Sequence, residues 1–259
     1  MTHPYFSKAR HPRVLAHRGL ITAAGEDSGV WENTAASFAA AHATGADYIE
    51  TDCQVTADGD VVLFHDATLE RLLGDRRAVR EVRTRELRSV FADHGGLLTV
   101  AEALSSFPQI RFNIDVKAGS GVAPTVETVT RAGAGERVLL ASFSDARLAR
   151  VRALAGPRVA TALGRAEVAR LRLSSWAGTP LRLPASAVAA QVPTRHGRVP
   201  IVDRRFLARA HRLGLQVHVW TIDDPVEMGR LLDLGVDGIM TDRPEVLREV
   251  YATRGLPLS

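Results

Sequence analysis

The chain has 259 residues, 46% of them hydrophobic, and a formal net charge of +4, a usual size and composition for one α/β barrel with a sizeable core. Nucleic-acid binding is not expected, because the arginines are interspersed with acidic residues and the few aromatic residues do not alternate with basic ones. The only cysteine, Cys53, cannot form an internal disulfide, and no segment has the apolar length of a signal peptide or a membrane span, so we expect a cytoplasmic protein without stable membrane insertion.

The first predicted strand is the run RVLAHRG, which follows a polar leader. It is apolar until it ends in His17, Arg18 and Gly19, so its polar side chains lie at its carboxyl end. A loop at 20–31 leads to a predicted helix in ENTAASFAAAHATG, which Gly45 ends. Glu32 in this segment is either a first-turn acid that satisfies the helix dipole or a catalytic group.

The segment YIETDCQVTADGDVVLFHD, residues 48–66, is predicted to form a β-hairpin that turns at Asp58-Gly59. Because successive strand side chains point to opposite faces, Glu50 and Asp52 share one face. A turn centred on Asp58-Gly59 pairs Asp52 with His65. Two carboxylates beside an imidazole favour a metal-assisted phosphoryl or hydrolytic site, and a half-buried hairpin with a solvated acidic face is the alternative.

Residues 67–110 are predicted to form an insertion on the barrel rim, charged and irregular, with short helical pieces and a helix over 100–107. In the strand RFNIDVK that follows, Asn113, Asp115 and Lys117 share one face. Of the 33 basic residues, only Lys8 and Lys117 are lysine. Since a compact ammonium and a planar guanidinium are not interchangeable in a tight phosphate site, lysine at position 117 indicates a specific role.

The rest of the chain alternates apolar runs with helical patterns, which is typical of successive βα units on a parallel sheet. There are eight such runs in all, at His17, Glu50, Asp115, Ser142, Ala160, Gln191, Trp220 and Met240. They predict an α/β fold, a TIM-type (β/α)8 barrel over 1–259 as a single domain, with a β-hairpin and a small helical insertion after the second strand. An open doubly wound sheet is disfavoured, because no glycine-rich nucleotide loop follows any strand.

Taken in order, these motifs resemble the glycerophosphodiester phosphodiesterase family, whose TIM-type barrel is shared with the phosphatidylinositol-specific phospholipases C. The matching fragments span nearly the whole chain: AHRG, ENT, IETD, T-x-DG, HD, L-x-R at Leu69 and Arg71, NIDVK, SF at 142–143, VWT at 219–221 and DGIMTDRP. Each fragment alone is weak evidence, whereas the ordered set is specific.

The resemblance implies hydrolysis of a glycerophosphodiester to glycerol 3-phosphate and an alcohol, with one divalent metal ion, Mg²⁺ or Ca²⁺. It implies site residues as follows: Glu50, Asp52 and Asp115 as metal ligands, His17 and His65 as the acid–base pair, and Arg18 and Lys117 as phosphate contacts. Two positions depart from the family pattern, since Asp115 replaces the usual glutamate and Asp223 replaces a frequent asparagine.

Several other residues could belong to the same site. Trp220 either fills the barrel or contacts the alcohol group of the substrate. His218 precedes it by two residues and so shares its strand face. Asp237 and Asp242 are interpreted as turn and cap residues rather than ligands, and the remaining histidines are assigned no function.

Two alternatives stay open. The D-x-K sequence at Asp115 and Lys117 also resembles the sphingomyelinase-D-like phospholipases, so a lipid-directed phospholipase D of the same superfamily is possible from the sequence. Such an enzyme needs an apolar membrane-binding loop, and neither 20–31 nor 67–96 contains one. A catalytically silent barrel that binds phosphate or sugar ligands is disfavoured, because both imidazoles and the E-x-D carboxylates are present. The sequence does not specify the oligomeric state.

Overall fold

Eight parallel strands close into a barrel in the computed structural model, which describes residues 3–7, 9 and 11–256. In chain order the strands of this part of the protein are β1 (Arg13–His17), β2 (Tyr48–Val55), β3 (Val61–Leu63), β4 (Arg111–Val116), β5 (Val138–Ala141), β6 (Ala160–Ala162), β7 (Ala187–Val192), β8 (Arg195–His196), β9 (Val199–Pro200), β10 (Gln216–Val219) and β11 (Gly238–Thr241). All except β3, β8 and β9 belong to the barrel, which closes where β1 pairs with both β2 and β11. The predicted TIM-type fold is confirmed.

Helices connect the strands and surround the barrel. They are α1 (Ala23–Asp27), α2 (Ala35–Ala43), α3 (Glu70–Leu73), α4 (Thr84–Phe91), α5 (Val100–Ser106), α6 (Val122–Arg131), α7 (Asp145–Ala155), α8 (Arg165–Ala177), α9 (Arg204–Arg212), α10 (Pro225–Leu234) and α11 (Pro244–Thr253). Within the described residues, no helix combines the length and the apolar character needed to cross a membrane.

Strand alternation decides which side chains face the inside of the barrel. On β1, Val14 and Ala16 join the apolar layer between strands and helices, whereas Leu15 joins the cluster inside the barrel. On β2, Ile49 and Cys53 likewise face the helices while Tyr48 faces inward. The same parity therefore turns the polar residues of both strands toward the barrel axis, as the alternation of the sequence predicts.

Aromatic residues from the start of the chain close the amino-terminal end of the barrel. Tyr5 and Phe6 are buried, and the hydroxyl of Tyr48 donates a hydrogen bond to the carbonyl of Tyr5 at 3.0 Å. The guanidinium of Arg13, at the start of β1, lies over the ring of Phe6. This end of the barrel is filled with side chains, so the opposite end, where the strands finish, is left to form a site.

The β2–β3 hairpin forms where predicted, but with a different register. Cys53 pairs with Leu63, and the amide of Phe64 donates to the carbonyl of Asp52 at 3.0 Å. The predicted pairing of Asp52 with His65 is therefore wrong by one residue. The turn has three residues, 57–59, rather than two, and Gly59 supplies the positive φ of +91° that such a loop requires.

Within the predicted insertion 67–110, helix α5 packs through Val100, Ala103 and Leu104 into the apolar layer between strands and helices. Residues 67–97 carry the short helices, with no long strand among them. The insertion packs on β3 through an apolar cluster of its own, made of Val62, Phe64, Leu69, Val79, Val82, Leu87, Phe91 and Leu97. The division of 1–259 into a single domain stays a prediction.

Candidate active site

The predicted site residues meet at one mouth of the barrel. Strand pairing places His17 beside Glu50 and Glu50 beside Asn113. Two residues further along β2 and β4, it places Asp52 beside Asp115. A cavity of about 940 Å³ opens at this mouth. Every predicted site residue lines it, namely His17, Arg18, Glu50, Asp52, His65, Asp115, Lys117 and Trp220.

Lys117 joins two of the three carboxylates. Its Nζ lies 2.7 Å from Asp52 Oδ1 and 2.7 Å from Asp115 Oδ2. Burial by itself lowers the pKa of Lys117, but the two carboxylates outweigh this effect and raise the pKa above its ordinary value. The ammonium is therefore held in its charged form between two anions, a position that suits a point charge better than a planar guanidinium.

Each of the three carboxylates keeps a buried oxygen that has no hydrogen-bond partner among the described residues: Glu50 Oε2, Asp52 Oδ2 and Asp115 Oδ1. Arg18 Nε is 3.2 Å from Asp52 Oδ2 without hydrogen-bond geometry. Burial, followed by the charge of Asp52, raises the pKa of Glu50 to about 8, and burial also raises the pKa of Asp115. The negative charge of these three carboxylates is thus only partly balanced by neighbouring cations.

The donor set fits a hard divalent cation. A buried carboxylate oxygen without a partner is energetically costly, and oxygen ligands are what Mg²⁺ and Ca²⁺ prefer. Within the described parts of the chain, no three acidic, imidazole or thiol groups already form a finished metal cluster. Binding of an ion would therefore require the carboxylates to turn from their present contacts.

Both candidate catalytic histidines are held through Nδ1 by an aspartate. His17 Nδ1 is 2.6 Å from Asp242 Oδ1, and His65 Nδ1 is 2.7 Å from Asp66 Oδ1. An ionised carboxylate can only accept a hydrogen bond, so each Nδ1 donates. His17 Nε2 faces the cluster of carboxylates, 3.8 Å from Glu50 Oε2. Burial lowers the pKa of His17, but the contacts with Asp242 and Glu50 outweigh it and raise that pKa.

Asp242 does lie in the bend before α11, as interpreted, but its side chain contacts His17 and does not cap the helix. Its loop is fixed by Asp223, whose Oδ1 accepts hydrogen bonds from Thr241 Oγ1 and from the Asp242 amide, both at 2.8 Å. The aspartate that departs from the family pattern thus positions the carboxylate that orients His17.

Alternating charges connect the carboxylate cluster to the second histidine. Arg18 Nη1 donates to Glu32 Oε1 at 3.0 Å, and Glu32 also accepts from Arg71. Arg71 Nε in turn donates to Asp66 Oδ2 at 2.5 Å, and Asp66 holds His65. Because α2 begins after Thr34, Glu32 lies before the helix and is not a first-turn acid. It links the ENT, HRG and L-x-R motifs instead.

The backbone at the end of β1 adopts an uncommon conformation that brings Arg18 into the site. Arg18 has a φ of +57°, which is unusual for a residue other than glycine and occurs preferentially at functional sites. Its amide donates to the carbonyl of Glu50 at 2.8 Å and its carbonyl accepts from the amide of Asn33 at 2.9 Å. At Gly19, with φ +94°, a Cβ would approach the Ser37 backbone to 2.8 Å, so only glycine fits.

His218 does not reach the cavity. It is fully buried inside the barrel, hydrogen-bonded to Gln191 and Gln216, and burial lowers its pKa to about 3. Trp220 does line the cavity, and its ring makes an edge contact with Phe143 at 5.7 Å between centroids. His196 also lines the cavity, although no function was predicted for it. It belongs to the β8–β9 hairpin, which the sequence analysis did not predict.

Comparison with known proteins agrees with this geometry. Residues 17–246 match the model of the glycerophosphoryl diester phosphodiesterase family. The chain is 36% identical over 251 residues to a Mycobacterium tuberculosis protein named "Probable glycerophosphodiester phosphodiesterase 2", covering 93% of this chain and 91% of the relative.

Solved structures share the fold. A glycerophosphodiester phosphodiesterase from Parabacteroides distasonis has a TM-score of 0.74 at 22% identity, covering 95% of this chain and 100% of that one. An Oleispira antarctica phosphodiesterase, solved with its product sn-glycerol-3-phosphate, has a TM-score of 0.71 at 21% identity, covering 93% and 97%. From the match along most of its length, the chain belongs to the glycerophosphoryl diester phosphodiesterase family.

Proposed function

We propose that the protein hydrolyses glycerophosphodiesters to glycerol 3-phosphate and an alcohol, with one Mg²⁺ or Ca²⁺ ion held by Glu50, Asp52 and Asp115. The observation that carries this proposal is the convergence of three buried carboxylates with unpartnered oxygens on a cavity that also contains two oriented imidazoles. The product complex of the Oleispira antarctica relative supports the assignment of glycerol 3-phosphate as product.

Positive charge in the cavity suits a phosphodiester anion. Arg18 and Lys117 both line the cavity, each beside Asp52. A bound divalent cation would supply further positive charge to the non-bridging phosphate oxygens. The two side chains bind and orient the phosphate, and each such electrostatic contact accounts for about 10²–10³ in rate.

The two imidazoles carry the proton transfers. Hydrolysis requires a proton to leave the attacking oxygen and another to reach the leaving oxygen, and histidine does either near neutral pH. Asp242 and Asp66 fix the Nδ1 tautomer of His17 and His65. Each Nε2 is thereby available to accept or donate a proton at the phosphate.

Asp115 is proposed to remain a metal ligand although it is one methylene shorter than the usual glutamate. Its Oδ2 is taken by Lys117, while its Oδ1 is buried and unpartnered. One oxygen of this carboxylate is therefore left for the ion.

We also propose that residues 1–259 form one barrel domain with its rim insertion inside 67–110, and that the protein is cytoplasmic. The lone buried cysteine supports the location, since it fits a reducing compartment.

The test is release of glycerol 3-phosphate from glycerophosphocholine by the chelator-treated protein, before and after addition of Mg²⁺ or Ca²⁺. We expect turnover to require the added ion, and His17→Ala and His65→Ala each to reduce kcat by about 10²–10⁴. His42→Ala, on the exposed face of α2, is the matched control and should not change kcat. Equal turnover with chelator present, or full activity in both histidine variants, would refute the proposal.

A further inference from the structure

Asn113, in β4, has an amide oxygen that no group in the described part of the protein binds. The residue is 2% exposed and lines the cavity at the mouth of the barrel. Its Oδ1 is buried and accepts no hydrogen bond from the described residues. Most buried amide oxygens in proteins are hydrogen-bonded, so an unpartnered one in the wall of a cavity indicates a ligand that comes from outside the chain.

Buried side-chain oxygens without a partner are concentrated beside Asn113. In the part of the chain that the structure describes they are Tyr5 Oη, Glu50 Oε2, Asp52 Oδ2, Asn113 Oδ1, Asp115 Oδ1 and Glu245 Oε2. The residues that carry four of these six oxygens line the same cavity and lie on the neighbouring strands β2 and β4. A single shared ligand accounts for all four.

The four oxygens belong to two layers of the β2–β4 pair. Strand register places Asp52 beside Asp115 in the layer nearer the mouth, and Glu50 beside Asn113 in the layer below it. Lys117 takes one oxygen of each carboxylate in the upper layer, at 2.7 Å, and leaves the second oxygen of each unpartnered. The amide oxygen of Asn113 is thus the neutral member of a group of acceptors without hydrogen-bond donors.

Asn113 and Asp115 reach equally far from β4. Their side chains have the same length and point to the same face of the strand, because the two residues are two positions apart. Same-face neighbours on a strand are about 6.6 Å apart, a gap that two side-chain oxygens can span by sharing one cation. An ion bound directly by Asp115 Oδ1 is therefore within reach of Asn113 Oδ1, and Glu50, one methylene longer, reaches the same ion from β2.

We propose that Asn113 Oδ1 is a fourth protein ligand of the divalent ion, and that the site consequently prefers Ca²⁺ to Mg²⁺. This inference rests on the proposed function, which assigns the ion to Glu50, Asp52 and Asp115. Asparagine oxygens are ordinary ligands of Ca²⁺, which takes about six to eight oxygens in a flexible geometry. Mg²⁺ instead requires a nearly ideal octahedron and usually keeps several waters. Four protein oxygens on two adjacent strands therefore suit the larger ion.

The test is calorimetric titration of Ca²⁺ and Mg²⁺ into the chelator-treated protein without substrate, and we expect the lower Kd for Ca²⁺. Asn113→Leu keeps the branched shape of the side chain and removes its oxygen. It should raise the Kd for Ca²⁺ at least about tenfold, the loss that a change even in a ligand's hydrogen-bond partner typically causes. Asn113→Asp keeps an oxygen at the same distance from β4 and should bind Ca²⁺ at least as tightly as the wild type. Gln191→Leu is the matched control, because it removes an amide that lines the cavity from β7, across the barrel, and should leave the Kd unchanged.

Two results of the titration would overturn the ligand role. One is an unchanged Kd for Ca²⁺ in Asn113→Leu. The other is an equal loss in Asn113→Leu and Asn113→Asp, which would show that the amide only supports its neighbours. Tighter binding of Mg²⁺ than of Ca²⁺ by the wild-type protein would overturn the preference.

Crystals of the wild-type protein soaked with Ca²⁺ give a readout that depends on no variant. We expect the ion in contact with Asn113 Oδ1 as well as with the carboxylates. An ion held by the carboxylates without contact to Asn113 would refute the inference and leave the proposed function standing. If neither Ca²⁺ nor Mg²⁺ binds to the carboxylates, the metal dependence of the proposed function fails as well.

Discussion

Replacement of Lys117 by methionine is predicted to destabilise the protein by an amount that follows from the burial of its partners. The substitution keeps most of the side-chain volume and removes the charge. It leaves the carboxylates of Asp52 and Asp115, whose side chains are 2% and 6% exposed, without the ammonium that now contacts both at 2.7 Å. Removing one partner of a buried ion pair costs about 3–5 kcal/mol. Because the Lys117 side chain is itself 19% exposed, we expect about 3 kcal/mol.

The assay is urea unfolding of the metal-free protein at neutral pH, with the free energy of unfolding compared between variants. Arg131→Met is the matched control, since it removes a cation from an exposed helical pair with Glu127 and should cost less than about 0.5 kcal/mol. Adding Asp115→Asn to Lys117→Met should recover part of the loss, because one of the two stranded charges is then removed. A loss in Lys117→Met no larger than that of the control would refute the charge balance described for this site.

Three further outcomes are expected. Asp242→Asn should lower kcat at least about tenfold and alter the pH–rate profile, because His17 loses the acceptor that fixes its tautomer, and an unaltered profile would contradict that role. Arg71→Met should lower kcat/KM about tenfold through misplacement of His65. It should change the free energy of unfolding by less than about 1 kcal/mol, because the side chain of this arginine is 45% exposed. Unchanged kinetics would show that its contact with Asp66 is only structural. His218→Gln should flatten the pH dependence of the free energy of unfolding. The pKa of His218 is about 3 in the folded protein, below that of the unfolded chain, so the unfolded chain binds more protons. Wild-type stability is therefore lost as pH falls below about 6.5, by up to about 1.4 kcal/mol per pH unit. Equal slopes for wild type and variant in urea unfolding between about pH 4 and 7 would contradict this assignment.

The sequence was sufficient for the barrel and for the side chains that project from its strands. Alternation along β1, β2 and β4 already placed the polar residues on one face, and closure of eight parallel strands brings such faces to a common mouth. His17, Glu50, Asp52, Asp115 and Lys117 could therefore be grouped before the structure was known.

Features that depend on loops or on distant contacts were not predictable in the same way. The predicted register of the hairpin was wrong by one residue. The dipeptide Asp58-Gly59 is compatible both with a two-residue turn and with the three-residue loop at 57–59, so it does not decide between the two registers. The contact of Asp242 with His17 joins residues 225 positions apart in a loop without periodicity.

The central claim is that Glu50, Asp52 and Asp115 share one divalent cation at the mouth of the barrel. Anomalous diffraction from crystals soaked with Mn²⁺, an ion that oxygen ligands also bind, tests this claim most directly. We predict an anomalous peak in contact with oxygens of all three carboxylates in the wild-type protein and its loss in Glu50→Gln crystals. A peak bound elsewhere, or the same peak retained in Glu50→Gln, would contradict the claim.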